Sequence, residues 1–171
     1  MKIFVLPGYS VNNKEWAYDV KSKLMPDFDV AVYEWKHWTE TGKGLDIGVE
    51  VSSIIDFSKN EDKIDIIAKS IGTLVLMKLL EVIKSKMGKI ILCGIPLNDL
   101  KEEDFSSYKI LESVTHPENI ICFQNSEDPH GNYQQVFAFL DNINPRIKIV
   151  DKGGNTHDYP YCEDFFNFLK N

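Results

Sequence analysis

Residues 68–72 combine residue types and a spacing that suit a nucleophilic serine. The run AKSIG follows the apolar stretch Ile64–Ile67 and precedes an amphipathic segment with helical spacing. An attacking serine must project above a sheet on a tight, strained turn between a strand and a helix, so the positions two before and two after it must be small. Ala68 and Gly72 meet that demand. Ser70 is therefore predicted to be the nucleophile of an acyl-transfer reaction, with a plain tight turn as the alternative.

Short apolar runs rich in β-branched residues alternate along the chain with longer segments that can hold a helix. Strands are predicted at Lys2–Leu6, Asp29–Trp35, Lys63–Ala68, Lys89–Leu92, Asn119–Phe123 and Arg146–Val150. Helices are predicted at Lys14–Leu24, Leu45–Phe57, Ile71–Lys86, Asn132–Asn142 and Cys162–Leu169. This alternation predicts an α/β fold, a three-layer sandwich in which about six parallel strands carry helices on both faces.

Two segments without clear periodicity, Lys36–Gly44 and Pro96–Pro117, follow predicted strands. Both should lie at the carboxyl edge of the sheet, where open α/β folds bind their ligands. No internal repeat, linker or shift of composition divides the chain. A single domain spanning residues 1–171 is therefore expected.

The strand, serine turn and helix around Ser70 resemble the nucleophile elbow of the α/β-hydrolase superfamily, which usually reads GxSxG. Ala68 replaces the first glycine, as it does in lidless bacterial lipases of similar length. The resemblance extends over nearly the whole chain in the order of elements. It implies a strand order 2-1-3-4-5-6, a triad in the chain order serine, acid, histidine, and an open site, because Pro96–Pro117 is too short for a large cap.

The same resemblance points to the base and the acid of the triad. His157 lies in the glycine-containing loop after the last predicted strand, where the superfamily keeps its histidine. Asp128 lies in the loop after the penultimate strand and is the preferred acid, whose role is to orient the imidazole and stabilise its charged form. Glu127 is the alternative, since a shift of one residue on a loop would exchange the two.

An acyl-transfer enzyme also needs N–H donors aimed at the developing oxyanion. One is expected to be the backbone amide of Ile71, at the positive end of its helix. The loop after the first strand resembles the superfamily's oxyanion segment, with Pro7 in place of histidine, and there the amide of Tyr9 is the candidate. The alternatives are a plain turn and a helix-capping role for Ser10.

Aromatic side chains after the second strand are candidates for the substrate pocket. Trp35 and Trp38 could bind substrate, although aromatic residues at such positions often pack in the core instead. His116 and His130 lie beside prolines and show no partner spacing, so both are interpreted as surface residues. No arrangement of histidine or cysteine typical of a metal site is present, and no metal or cofactor is expected.

Composition narrows the class of partner. The chain has 171 residues, 43% of them hydrophobic, and a formal net charge of −7. No cluster of basic residues favours binding to nucleic acid or an anionic membrane, so a small ester-type substrate fits better, while a protein partner stays open. Three widely spaced cysteines are expected to be buried free thiols. A short apolar run at the N-terminus and the lack of a transmembrane window favour a cytoplasmic location.

These features together predict a serine hydrolase that cleaves a small ester or thioester. Two alternatives stay open. A non-catalytic α/β-hydrolase scaffold could bind a ligand or a protein, because a fold alone does not confer activity. An acyltransferase could use the same triad with an acceptor other than water.

Overall fold

The computed structural model describes residues 2–40 and 42–171. Thr41, within the predicted loop Lys36–Gly44, and Met1 lie outside the described residues. The strands are β1 (Lys2–Leu6), β2 (Asp29–Val32), β3 (Ile64–Lys69), β4 (Met87–Cys93), β5 (Ile120–Gln124) and β6 (Lys148–Asp151). The helices are α1 (Asn13–Leu24), α2 (Ile47–Phe57), α3 (Ile71–Ile83), α4 (Glu102–Phe105), α5 (Tyr133–Ile143) and α6 (Cys162–Lys170).

The six strands form one parallel sheet in the order β2-β1-β3-β4-β5-β6, which confirms the predicted order. β1 lies between β2 and β3, with Val5 opposite Val32 on one side and Ile67 on the other. The chain therefore leaves β1 toward one edge of the sheet and leaves β3 toward the other. The loops after these two strands meet at the point where the order reverses, which is where open α/β sheets hold ligands.

Alternate strand residues supply two separate cores. Phe4 and Leu6 of β1 pack into a cluster with residues of α2, α3 and α5. Ile3 and Val5 face the opposite side and pack with residues of α1 and α6. Because successive side chains of a strand point to opposite faces, β1 is buried on both sides, which explains its continuous apolar run.

The second strand is shorter than the predicted Asp29–Trp35. Its pairing with β1 ends at Val32, and one further bond joins the Tyr33 amide to the Val5 carbonyl. β1 itself ends at Leu6, so the residues that follow Tyr33 have no neighbouring strand. An apolar run indicates that a segment can form a strand, but the length of that strand also depends on where the neighbouring strand ends.

The segment predicted without periodic structure after β4 contains helix α4 and two 3-10 turns, at Ser106–Ser113 and Pro117–Asn119. Its buried residues Tyr108 and Leu111 lie in the same core cluster as α3, and the Tyr108 hydroxyl lies 2.7 Å from Oγ1 of Thr73. The segment packs on the domain core, which agrees with the expected lack of a large cap.

The three cysteines are free and buried, as predicted. Burial raises the pKa of the Cys93 thiol well above its ordinary value. Within residues 2–40 and 42–171, none of the helices combines the length and the apolar character needed to cross a membrane.

Candidate active site

Ser70 occupies a strained turn between β3 and α3. Its φ of 55° makes it the one non-glycine residue with a positive φ among the residues that the structure describes. Such a backbone conformation costs free energy and persists where the surroundings enforce it. Here the Ser70 amide donates to the Cys93 carbonyl at 2.9 Å, and the Ser70 carbonyl accepts from the Thr73 amide at 2.9 Å. The turn has the geometry predicted for a nucleophile elbow.

The small residues on either side of Ser70 allow this turn to approach the end of β1. Ala68 is fully buried beneath it. A Cβ atom on Gly72 would collide with the Leu6 carbonyl and lie 2.9 Å from the Pro7 carbonyl. Because backbone atoms cannot move aside as a flexible side chain can, only glycine fits at this position. The close approach brings Ser70 next to the loop that follows β1.

Asp128 and His157 are joined in the structure, although 29 residues separate them in the chain. Nδ1 of His157 lies 2.7 Å from Oδ2 of Asp128, whose side chain is buried. An ionised carboxylate only accepts hydrogen bonds, so this contact places the proton of the neutral imidazole on Nδ1 and leaves the lone pair on Nε2. Glu127, the alternative acid, is exposed to solvent.

Further donors hold Asp128 in its ionised form. The Tyr159 hydroxyl donates to Oδ2 at 2.5 Å, and the His130 amide donates to Oδ1 at 2.8 Å. Burial by itself would raise the pKa of Asp128, but the hydrogen bonds from His157 and Tyr159, together with the attraction of the imidazole, outweigh it. The pKa of Asp128 therefore lies below its ordinary value.

The loop that carries His157 is clamped by Asn125. Its side-chain amide donates to the carbonyls of Thr156 at 2.8 Å and Asp158 at 2.9 Å, on either side of the histidine. Its carbonyl oxygen accepts a hydrogen bond from Tyr161 at 2.6 Å. Asn125 thus fixes the backbone from which the imidazole projects, a role that its place in the sequence does not indicate.

His157 and Ser70 both lie against the end of β4. A Cβ atom on Gly94 would lie 2.9 Å from Cε1 of His157, and the preceding carbonyl, that of Cys93, accepts the Ser70 amide. Nε2 of His157 is buried and has no hydrogen-bond partner within the described part of the chain. The Ser70 hydroxyl and Nε2 therefore do not share a hydrogen bond here, and proton transfer requires these two atoms to approach each other.

The amides of Tyr9 and Ile71, the two predicted oxyanion donors, bind no acceptor among residues 2–40 and 42–171. The Ile71 amide lies at the first position of α3, where helix N–H groups are free. The Tyr9 carbonyl accepts from Nε2 of His37 at 2.9 Å and from Nε1 of Trp38 at 2.8 Å, which fixes this peptide. Ser10 is not the N-cap of α1, because Asn12 occupies that position.

Trp35, one of the two tryptophans predicted to bind substrate, does not fit that prediction. Trp35 is 1% exposed, so it packs in the core and cannot line an open site. Its Nε1 donates to the Gly8 carbonyl at 3.1 Å. Trp38 is partly buried and binds the Tyr9 carbonyl. Both side chains therefore donate hydrogen bonds to the backbone of the loop after β1 and help to fix its position.

His130 is a surface residue, as predicted, with 43% of its side chain exposed, but it has partners that its spacing in the sequence did not indicate. Its ring centroid lies 4.4 Å from that of His157, and its Nδ1 pairs with Asp99. His157 lies 27 positions and Asp99 31 positions from His130 in the chain, and sequence spacing does not predict contacts at such separations. His116 is exposed, as predicted, and pairs with Glu118.

Solved structures similar to this chain share one fold. An alpha/beta hydrolase enzyme from a Medee basin deep-sea metagenome library has a TM-score of 0.77 at 9% identity, with 99% of this chain and 89% of that chain covered. A meta-cleavage product hydrolase from Pseudomonas fluorescens has a TM-score of 0.75 at 10% identity, covering 99% and 90%. An alpha-beta serine hydrolase homologue from Coxiella burnetii has a TM-score of 0.73 at 16% identity, covering 99% and 83%. Comparison with protein-family models and with curated proteins finds no match.

Proposed function

Starting from the α/β-hydrolase fold that the chain has, we propose that it is a serine hydrolase that cleaves a small ester or thioester through an acyl-enzyme. Ser70 is the nucleophile, His157 the base and Asp128 the acid. One observation carries the proposal: the pairing of partly buried His157 with buried Asp128 leaves Nε2 of the imidazole unpartnered within the described residues, at the same sheet edge that holds Ser70 in a strained turn.

The reaction starts when Oγ of Ser70 attacks the carbonyl carbon of the ester while Nε2 of His157 takes the hydroxyl proton. The carbonyl π bond becomes an oxyanion, which accepts from the amides of Tyr9 and Ile71. Collapse of the tetrahedral intermediate expels the alcohol or thiol, which receives the proton from His157. Water then repeats the sequence on the acyl-enzyme and releases the acid and free Ser70.

Asp128 supports this proton transfer because it is already ionised when the imidazole becomes charged. Its pKa is held low by the hydrogen bonds from His157 and Tyr159, which outweigh the effect of burial. An anionic acceptor on Nδ1 stabilises the imidazolium and leaves Nε2 as the nitrogen that exchanges the proton with Ser70. The hydrogen bonds to Asp128 therefore also help His157 to act as the base, because they keep its carboxylate partner charged.

A panel of p-nitrophenyl esters with increasing acyl length tests the proposal. Ser70→Ala should lower kcat on the order of 10⁶-fold, to the background of the assay, as removal of a triad serine does elsewhere. The matched control is Ser52→Ala, which removes an exposed hydroxyl that binds the Gly48 carbonyl within α2. It should retain wild-type turnover.

Turnover retained by Ser70→Ala would reject the assignment. Absence of any turnover by the wild type, with no labelling of Ser70 by a fluorophosphonate, would favour a non-catalytic scaffold. Acylated products formed with added alcohols or amines in preference to the free acid would instead identify an acyltransferase.

A further inference from the structure

Lys69, directly before Ser70, carries a buried charge that the reaction described above does not use. The residue is 4% exposed and lies at the end of β3, on the face that packs against α1. Burial lowers the pKa of Lys69, while Asp158, Cys93 and Asp128 act in the opposite direction. A buried ammonium is costly unless its surroundings are built to hold it.

The ammonium is held by residues of α1. Nζ donates to Oδ1 of Asn13 at 2.7 Å and lies 5.3 Å from the ring centroid of Trp16, a distance that suits a cation–π contact. Trp16 in turn donates from Nε1 to the Tyr159 carbonyl at 2.9 Å. Lys69 therefore contacts the element that follows the oxyanion loop rather than solvent.

Asn13 connects this ammonium to the backbone of the oxyanion loop. Its Nδ2 donates to the Ser10 carbonyl at 3.1 Å. Its side chain also packs so closely on Gly8 that a Cβ atom there would lie 2.7 Å from Oδ1. Gly8 and Ser10 are the two neighbours of Tyr9. A Lys69–Asn13 bridge thus spans the gap between the nucleophile elbow and the peptide expected to bind the oxyanion.

We propose that Lys69 is a positioning residue, which through Asn13 holds the Gly8–Tyr9–Ser10 loop at a fixed distance from Ser70 so that the Tyr9 amide meets the oxyanion. This inference rests on the proposed function. It concerns the transition state, since the Tyr9 amide gains its full contact only when the carbonyl oxygen becomes charged. Loss of the bridge should therefore lower kcat more than it raises KM.

Stability separates this role from a merely structural one. The hydrogen-bond partner of Lys69 is the neutral Asn13 side chain, so an apolar residue of similar size removes the cost of burying the ammonium without leaving that partner as an unpaired charge. Methionine matches the length of lysine, and partly exposed Asn13 can bind water once the ammonium is gone. A structural role for Lys69 predicts that activity and stability fall together, whereas a positioning role predicts that activity falls alone.

The test compares Lys69→Met, Asn13→Ala and the double variant with the wild type. Loosening one oxyanion donor should lower kcat about 10- to 100-fold, with KM changed less than about threefold, given that complete loss of such a donor costs about 10²- to 10³-fold. The rate at which a fluorophosphonate labels Ser70 should fall in parallel, because the phosphonyl oxygen occupies the same site. The midpoint of urea unfolding of Lys69→Met should stay level or rise.

The double variant should be no slower than the slower single variant, because both substitutions break one bridge. The matched control is Lys78→Met, which removes a half-exposed lysine of α3 that pairs with Glu81. It should leave both kcat and the labelling rate at wild-type values. If Lys69→Met does not fold, Asn13→Ala carries the test, since its side chain is partly exposed.

Wild-type kcat and labelling in Lys69→Met, a parallel loss of kcat and stability, or additive effects in the double variant would each overturn the inference. The proposed function fails separately, if Ser70→Ala keeps its turnover. If Ser70→Ala is inactive while Lys69→Met keeps wild-type activity, the proposed hydrolase function holds and only the positioning role of Lys69 is rejected.

Discussion

The Tyr159 hydroxyl offers a quantitative test of the contacts that hold the acid. Tyr159 is fully buried. Its hydroxyl donates to Oδ2 of Asp128 at 2.5 Å and accepts from the backbone amide of Asn125 at 3.2 Å. Tyr159→Phe keeps the ring and removes both bonds. Loss of a hydrogen bond to a charged group costs about 1.5–3 kcal/mol, and an unsatisfied buried N–H costs about 1–3 kcal/mol. Since the two effects share one site, we expect a total loss of about 2–4 kcal/mol.

The loss should depend on pH, with a sign fixed by Asp128. The pKa of Asp128 is lower in the folded chain than in the unfolded chain, because donated hydrogen bonds outweigh burial. Its contribution to stability is therefore complete above the unfolded pKa and disappears as the pH falls through the folded pKa. The difference between the wild type and Tyr159→Phe should be largest near neutral pH. It should shrink in acid to the part that comes from the Asn125 amide.

Urea unfolding at about pH 7 and at about pH 3 measures this difference, which should already be smaller at pH 3, because that pH lies below the ordinary pKa of aspartate, where the loss begins. The matched control is Tyr161→Phe, which removes a neighbouring hydroxyl that binds Oδ1 of Asn125 at 2.6 Å and does not touch Asp128. That variant should lose about 1 kcal/mol at both pH values. The reasoning is refuted if Tyr159→Phe loses no more than the control, or loses the same amount at both pH values.

Two glycines give further tests of the site's geometry. Gly72→Ala places a methyl group against the Leu6 and Pro7 carbonyls, so the elbow must shift; we expect kcat to fall at least about tenfold while circular dichroism shows a folded chain. Gly94→Ala meets both a φ of 59° and the rings of Tyr159 and His157; we expect a loss of about 2–4 kcal/mol in urea unfolding and a lower kcat. Wild-type turnover in both variants would contradict the placement of these backbone segments.

The sheet could be predicted from the sequence because its signals are local. Strands buried on both faces read as continuous apolar runs, and helices between them show their own spacing. The order of the strands followed from the family resemblance. Strand length was harder to predict, since the end of β2 depends on where β1 stops, and paired residues of the two strands lie 27 positions apart in the chain.

The elbow, Asp128 and His157 could be predicted from the sequence because each follows a predicted strand on a loop with a recognisable pattern. The surrounding contacts could not. Tyr159 and Asn125 act through partners more than 30 positions away, and their residue types are ordinary in loops. Trp35 was assigned to the pocket from its position after a strand. Its burial depends on the loop above it, which no local pattern describes.

The central claim is that Ser70 is activated by His157, and covalent labelling tests it most directly. Intact-mass measurement after treatment with a fluorophosphonate should show one adduct on the wild-type chain, with peptide mapping that places it on Ser70. The adduct should be absent from Ser70→Ala and form far more slowly in His157→Gln. An unlabelled wild type, an adduct at another residue, or equal labelling of Ser70→Ala would contradict the account.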